Sequence, residues 1–185
     1  MIDEIRQRLA RYQPSTIDDV PFARAAVLLP LYERDGIVHV LFTRRSELVE
    51  HHKGQISFPG GAHDPGDADL RDTAARETWE EIGVAIEHID IFAQLDEMVS
   101  VSNFLVTPFV GRITEPGPYP FVHSEVEVAE ILEVPLDHLR DAANLTVETQ
   151  LYQGREREAY AYRWRDHVIW GLTARILRRF LELIA

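Results

Sequence analysis

Arg76-Glu77-Thr78-Trp79-Glu80-Glu81-Ile82-Gly83-Val84 is the stretch from which the rest of this chain can be read. Upstream, Asp69 or Asp72 can cap a first helical turn, and Gly83 supplies the left-handed residue that commonly follows a last one, so a helix is predicted from there to Ile82. Residues three and four apart share a helix face, which places the carboxylates of Glu77, Glu80 and Glu81 within one turn of each other. Each like-charge pair costs roughly 0.2–0.5 kcal/mol of helix stability, relieved in part by Arg76 four residues before Glu80. A divalent cation would offset the repulsion. Hard cations choose carboxylate oxygens, keep several waters and complete their shell with substrate phosphate oxygens, so the pattern points to phosphate chemistry. An acidic run alone is more often a solvated face. The weight shifts because Phe58-Pro59-Gly60-Gly61 sets two glycines before a polar loop, where backbone can approach a ligand or metal with no Cβ in the way.

Working outward, Ile2, Ile5 and Leu9 stand at helical spacing before Pro14. Ala25 to Leu29 and Ile37 to Phe42 are apolar runs separated by a segment ending in Asp35-Gly36, a hairpin signal that predicts two antiparallel strands. Gln55 to Phe58 reads as a short strand ended by Pro59-Gly60-Gly61. Strands are also expected at Ile89 to Phe92, Phe104 to Ile113 and Glu127 to Val134, with a short helix from Leu136 to Ala142. Tyr160 to Trp164 and His167 to Trp170 read as a late strand pair. Leu172 to Ile184 is an amphipathic helix with Leu172, Ile176, Leu177, Phe180 and Leu183 along one side. No repeat or linker interrupts the 185 residues, and the expectation is one α+β domain spanning 1–185.

Composition narrows the partners. A formal charge of −12 argues against nucleic acid, which needs a basic surface to displace counterions. It leaves room for a phosphorylated small molecule held by a cation and a few placed arginines. The absence of cysteine removes disulfides, thiolate ligands and cysteine nucleophiles together. The N-terminus lacks the basic start and apolar run of a signal peptide, and no apolar stretch is long enough to span a bilayer, so a cytoplasmic enzyme without a membrane partner is expected. The C-terminal helix and Trp170 leave room for a homodimer. Trp79, Trp164 and Trp170 are expected to pack in a core or an interface rather than stack on a base.

Gly61 through Val84 resembles the Nudix box, a glycine loop and helix ending in Arg-Glu-x-x-Glu-Glu-x-Gly plus an aliphatic residue. Thr78 stands where that pattern has an aliphatic residue or alanine, a change expected to touch packing. The upstream acid is displaced by one: Asp67 lies nine residues before Arg76, where the usual box has a Glu eight before. That offset is similar to the coenzyme A pyrophosphatase branch. So are Leu41-Phe42-Thr43-Arg44-Arg45-Ser46, His52 through Gly61, Asp64-Pro65-Gly66-Asp67, Ser102-Asn103-Phe104 with Val106-Thr107-Pro108, Glu127-Val128-Ala129-Glu130, and Ile169 through Leu177. Glu50, where the branch has Arg, and Asn103, where Gly is common, depart from it.

The resemblance implies an α/β/α sandwich on a mixed sheet. It implies Glu77 and Glu81 as direct ligands of Mg²⁺ or Mn²⁺, Glu80 sharing or bridging ions, and the carbonyl of Gly61 or a neighbour completing the set. Arg76 would orient a carboxylate or act as a helix salt bridge. Arg45, Arg44, Gly60, Phe58 and His52 are the expected substrate contacts, with Lys53 beside them and His52 shaping its loop; His51 is not expected to bind metal. A base outside the box would come from Glu97, Glu127 or Glu130, unless Glu80 or Glu81 serves. The implied reaction cleaves coenzyme A or an acyl derivative to 3′,5′-ADP and a phosphopantetheine product. ADP-ribose, NADH or a nucleoside triphosphate is the alternative substrate. A nucleotide-binding scaffold without turnover is a third reading, against which the intact Glu77, Glu80 and Glu81 argue.

Overall fold

The computed structural model describes residues 1–48, 53–115, 117–152 and 154–185, so Glu50, His51 and His52 lie outside the described residues. Three layers are present. The middle layer is a mixed sheet built on β1 (Ala23–Arg34) and β2 (Ile37–Arg45), joined at Asp35-Gly36, both of which adopt positive φ as a tight hairpin turn requires. β7 (Phe104–Ile113) runs parallel to β1 along its length, while β5 (Ile89–Gln94) and β6 (Met98–Val99) add antiparallel to β7. β8 (Val128–Pro135) pairs antiparallel with the outer edge of β2.

The hairpin forks, and the fork positions the glycine loop. β1 and β2 pair only from Leu31↔Val40 to Arg34↔Ile37. Below that point they splay, and two short strands fill the gap: β3 (Ile56–Ser57) pairs with Thr43 and Arg44 of β2, and β4 (Gly60–Ala62) pairs with Ala25, Ala26 and Val27 of β1. Pro59 between them accepts from the Leu28 amide at 2.9 Å. The sequence reading ends a strand at Pro59-Gly60-Gly61. In the structure the chain passes through Pro59 and continues as β4, because the open side of β1 offers unpaired backbone groups that must be satisfied.

Period-two alternation assigns the two faces. Leu29 and Leu31 of β1 and Val38, Val40 and Phe42 of β2 face a core built with Ile2, Ile5 and Leu9 of α1 (Ile2–Leu9) and with Ala174, Ile176, Leu177 and Phe180 of α4 (Gly171–Leu183). Ala26 and Leu28 face the opposite side, where they pack with Ala74 of α2 (Leu70–Ile82) and Phe109; Tyr32 and Leu41 join Ile82 and Val84 there.

A three-stranded antiparallel sheet stands beside α4: β9 (Leu145–Tyr152), β10 (Arg155–Trp164) and β11 (His167–Ile169). The sequence reading contains no strand at 145–152 and starts its late pair at Tyr160. β9 escapes because Thr146, Glu148 and Gln150 alternate with Val147 and Leu151 on a ribbon of which both faces are largely exposed. The short helix α3 (Leu136–Arg140) ends earlier than expected.

Candidate active site

Helix α2 is fixed at both ends by local chemistry. Asp69 is the cap, accepting from the amides of Arg71 at 2.8 Å and Asp72 at 2.9 Å; Gly83 ends the helix at φ 70°. Its buried stripe runs through Thr73, Ala74, Ala75, Thr78, Glu81 and Ile82. Thr78 donates to the Ala74 carbonyl at 2.7 Å, which satisfies its buried hydroxyl one turn back.

Glu81 is the anomaly in that stripe. It is 4% exposed, where the periodicity asks for an apolar residue. Thr43 donates to it at 3.4 Å and Arg45 Nη1 stands 4.0 Å away. Burial pushes the Glu81 carboxyl up to about 8; Arg45 works against the rise, and Glu77 and Glu127 add to it. Burial also raises Glu77, against the pull of Arg76, with Glu80 and Glu127 contributing. Glu77, Glu81 and Glu127 therefore feel one another.

Strand alternation explains which arginine reaches this face. Leu41, Thr43 and Arg45 share a side of β2, and Leu41 packs under α2. Arg44 points the other way and pairs with Glu130 at 3.1 Å, which His167 also approaches at 3.5 Å. The Nε of Arg45 is buried without a hydrogen-bond partner.

Arg76 commits every N–H of its guanidinium. Nε donates to Asp67 Oδ1 at 2.7 Å and Nη2 to Asp67 Oδ2 at 3.0 Å; Nη1 reaches Glu77 at 2.9 Å and Glu80 at 3.0 Å; Nη2 also reaches the Ala62 carbonyl at 3.3 Å. These bonds hold the Asp67 carboxyl well below the usual carboxylate range, with Thr73 donating as well at 2.7 Å. The displaced acid of the sequence is thus the anchor of Arg76.

The two glycines do different things. At Gly61 a Cβ would lie 2.5 Å from the Glu77 carboxylate carbon, so the missing side chain is what lets Glu77 lie against this backbone. Gly60, at φ 155°, would set a Cβ 2.3 Å from the Ala26 carbonyl oxygen and 2.6 Å from Val27 Cα. Its missing side chain serves the close approach of β4 to β1. Phe58 is a correction: its side chain is buried and stacked on Phe42 with ring centroids 4.8 Å apart, facing the α1 and α4 core rather than a substrate.

Of the three candidate bases, the structure brings Glu127 to the acidic face. Glu97 is buried and held by three hydrogen bonds: Oε1 accepts from Arg24 at 2.6 Å and Thr107 at 3.0 Å, and Oε2 from the Ile17 amide at 2.8 Å. It ties the segment before β1 to the sheet. Glu130 is held in the ion pair with Arg44. Lys53 is exposed. Trp164 packs against the α1 and α4 core and edge-on to His138, as expected, while Trp79 and Trp170 lie outside the core and are each 52% exposed.

Among the described residues, no three histidine, aspartate or glutamate side chains converge as a ready-made cation site. Arg76 accounts for this, since it draws Glu77 and Glu80 to itself. The donor chemistry still fits a hard divalent cation. Glu81 is a buried carboxylate with one long hydrogen bond, next to two more acids, and backbone free of Cβ lies against Glu77.

A capped helix with acids on one face, laid against a forked mixed sheet that delivers a glycine loop to those acids, defines a phosphate-processing α+β hydrolase. The NUDIX domain family model matches residues 21–164, and the chain belongs to the Nudix family. A Nudix hydrolase of Photorhabdus laumondii, NudL, is 36% identical over 161 residues, covering 86% of this chain and 84% of its own length. Among solved structures, a Nudix hydrolase from Alicyclobacillus acidocaldarius superposes with a TM-score of 0.55 at 17% identity, covering 88% of this chain and 92% of that one. The Nudix domain of Shewanella oneidensis NrtR, complexed with ADP ribose, gives 0.50 at 19% identity over 71% and 82% of the respective chains. The protein is accordingly a pyrophosphohydrolase of nucleoside diphosphate derivatives, a class that works with divalent metal ions. Among the described residues no helix is long and apolar enough to cross a membrane.

Proposed function

We propose that the chain acts as one domain that hydrolyses the diphosphate of coenzyme A or an acyl-coenzyme A, giving 3′,5′-ADP and phosphopantetheine or its acyl derivative. The observation that carries the catalytic part is the buried Glu81 beside Glu77 and Glu127, a cluster of like charge that folding alone does not favour. The coenzyme A part rests on the resemblance of Leu41 through Ser46, of His52 through Gly61 and of Asp67 to that branch.

Glu77 and Glu81 would hold Mg²⁺ or Mn²⁺, with Glu80 sharing and the Gly61 carbonyl completing the set. A bound cation would neutralise phosphate charge and make water more nucleophilic at neutral pH. Arg76 acts as a positioning residue: anchored on Asp67, it fixes the directions of Glu77 and Glu80. Arg45, partly exposed beside Glu81, donates to a phosphate oxygen through its terminal nitrogens. Arg44 serves that arginine's strand from the opposite face by pairing with Glu130. Glu127, exposed and close enough to raise both Glu77 and Glu81, takes the proton of the attacking water.

The test is product release from coenzyme A, acetyl-coenzyme A, ADP-ribose, NADH and nucleoside triphosphates, each with Mg²⁺, with Mn²⁺ and with chelator. Chelator-sensitive hydrolysis of the coenzyme A substrates above the rest is expected. Preference for ADP-ribose or NADH would replace the substrate while keeping the chemistry; Glu50, an acid in the segment where the branch carries Arg, is the feature that favours this second reading.

A further inference from the structure

An open cavity of about 610 Å³ adjoins the acidic face, lined by Trp79, Glu80, Gly83, Val122, Ser124 and Glu127. Trp79, Gly83, Val122 and Ser124 in its walls have no part in the hydrolytic roles above. Trp79 leaves half of its surface exposed on α2, and Val122 opposite is 73% exposed. Val122 is brought there by the connector between β7 and β8, which is held to the end of α2 by the Ser124 amide donating to the Glu81 carbonyl at 3.1 Å. Gly83 permits the approach: a Cβ there would lie 2.5 Å from the Val122 carbonyl oxygen. Two acids, Glu80 and Glu127, belong both to this groove and to the acidic face, so the two spaces are continuous.

We infer that Trp79 is the stacking platform for the nucleobase of the substrate, and that the groove selects a base bearing an exocyclic amino group. The inference rests on the reading of the site as a nucleoside-diphosphate hydrolase. A ligand with its diphosphate at the acidic face extends its neighbouring group along the groove. The exposed indole offers a flat π surface, against which a base gains stacking energy whatever its sequence identity. The rim of Glu80, Glu127 and Ser124 is rich in acceptors, whose oxygens accept from an amino group, as on adenine. An acyl chain fits less well, because the groove is open and polar along one side.

The experiment titrates AMP and UMP, with Mg²⁺ present, into the wild-type chain and the W79F and W79A variants. Intrinsic tryptophan fluorescence and calorimetry are the readouts. AMP holds no diphosphate, so binding is read without turnover. AMP is expected to quench the wild-type signal saturably and to bind more tightly than UMP. W79F should lose the quench and retain most of the affinity; W79A should bind AMP about 5- to 100-fold more weakly. Equal AMP affinities for wild type and W79A overturn the platform, as does a wild-type chain that binds neither nucleotide. Hydrolysis separates the two readings. Diphosphate turnover with an unchanged KM in W79A leaves the reaction standing and removes the platform. A saturable AMP quench lost in W79F, without hydrolysis of any substrate, leaves the platform and removes the reaction.

Discussion

Arg76 grips Asp67 with two parallel hydrogen bonds, 2.7 Å and 3.0 Å long, across nine residues of chain. The pair ties the turn before α2 to the middle of that helix, and the free edge of the same guanidinium sets Glu77 and Glu80. Removing the charge while keeping the shape, as in Asp67→Asn, leaves a partly buried cation short of its partner. A loss of about 1–3 kcal/mol in urea denaturation at pH 7 is expected, with a fall in turnover, since Arg76 keeps Glu77 and Glu80. The Asp67 carboxyl is lowered in the folded chain, so its contribution is present above the unfolded value near 3.8 and is lost as pH falls below it. A variant as stable as wild type at pH 7 would refute the anchoring role.

Glu81 behaves oppositely. Its folded value of about 8 lies above the unfolded 4.5, so the fold favours the protonated acid and metal-free stability declines as pH rises from 4.5 towards 8. Glu81→Gln should abolish that decline. The metal-free variant is expected to melt higher than metal-free wild type at pH 8, with the gap closing towards pH 5. Turnover should fall by about a hundredfold or more, since a lost metal ligand removes several kcal/mol of transition-state stabilisation. Near-normal turnover in the variant would sink the ligand assignment.

Gly60→Ala and Gly61→Ala should separate fold from site. The first meets backbone at 2.3 Å from a positive φ, and the expected result is a chain destabilised by about 2 kcal/mol or more. The second meets only the end of the Glu77 side chain, which can move aside. A nearly unchanged melting temperature with about tenfold or greater loss of turnover is expected there. Full activity in Gly61→Ala would show that Glu77 need not lie against this backbone.

Glu127→Gln and Glu97→Gln make the corresponding contrast for the base. Glu127 is exposed, so its replacement should leave the melting temperature in place and slow turnover by about 10² or more, with the acidic limb of the pH profile altered. Glu97→Gln presents a donor to groups that are themselves donors and should cost roughly 1–3 kcal/mol of stability. The reverse pattern would exchange their roles.

Helix α2, its Asp69 cap, its Gly83 stop and the shared face of Glu77, Glu80 and Glu81 were legible in the chain because each depends on residues within a few positions, related by the 3.6-residue period. The Asp35-Gly36 hairpin and the packing faces of α1 and α4 were legible for the same local reason. What lay beyond it was decided at long range. Alternation says that Arg44 and Arg45 face opposite ways, but only the docking of α2 on one side of the sheet and β11 on the other says which faces Glu81. Glu97, Glu127 and Glu130 are alike as residues; the segment before β1 occupies the first, β2 and β11 the third, and the connector after β7 delivers the second to the site. Phe58 and Gly60 sit in a motif that resembles a ligand loop, yet the fork between β1 and β2 uses them for packing. Trp79 shares its helix with the acids, and whether an indole is buried or bare depends on what the rest of the chain lays over it. Periodicity fixes directions relative to a local axis; only the packing of distant segments turns a direction into a contact.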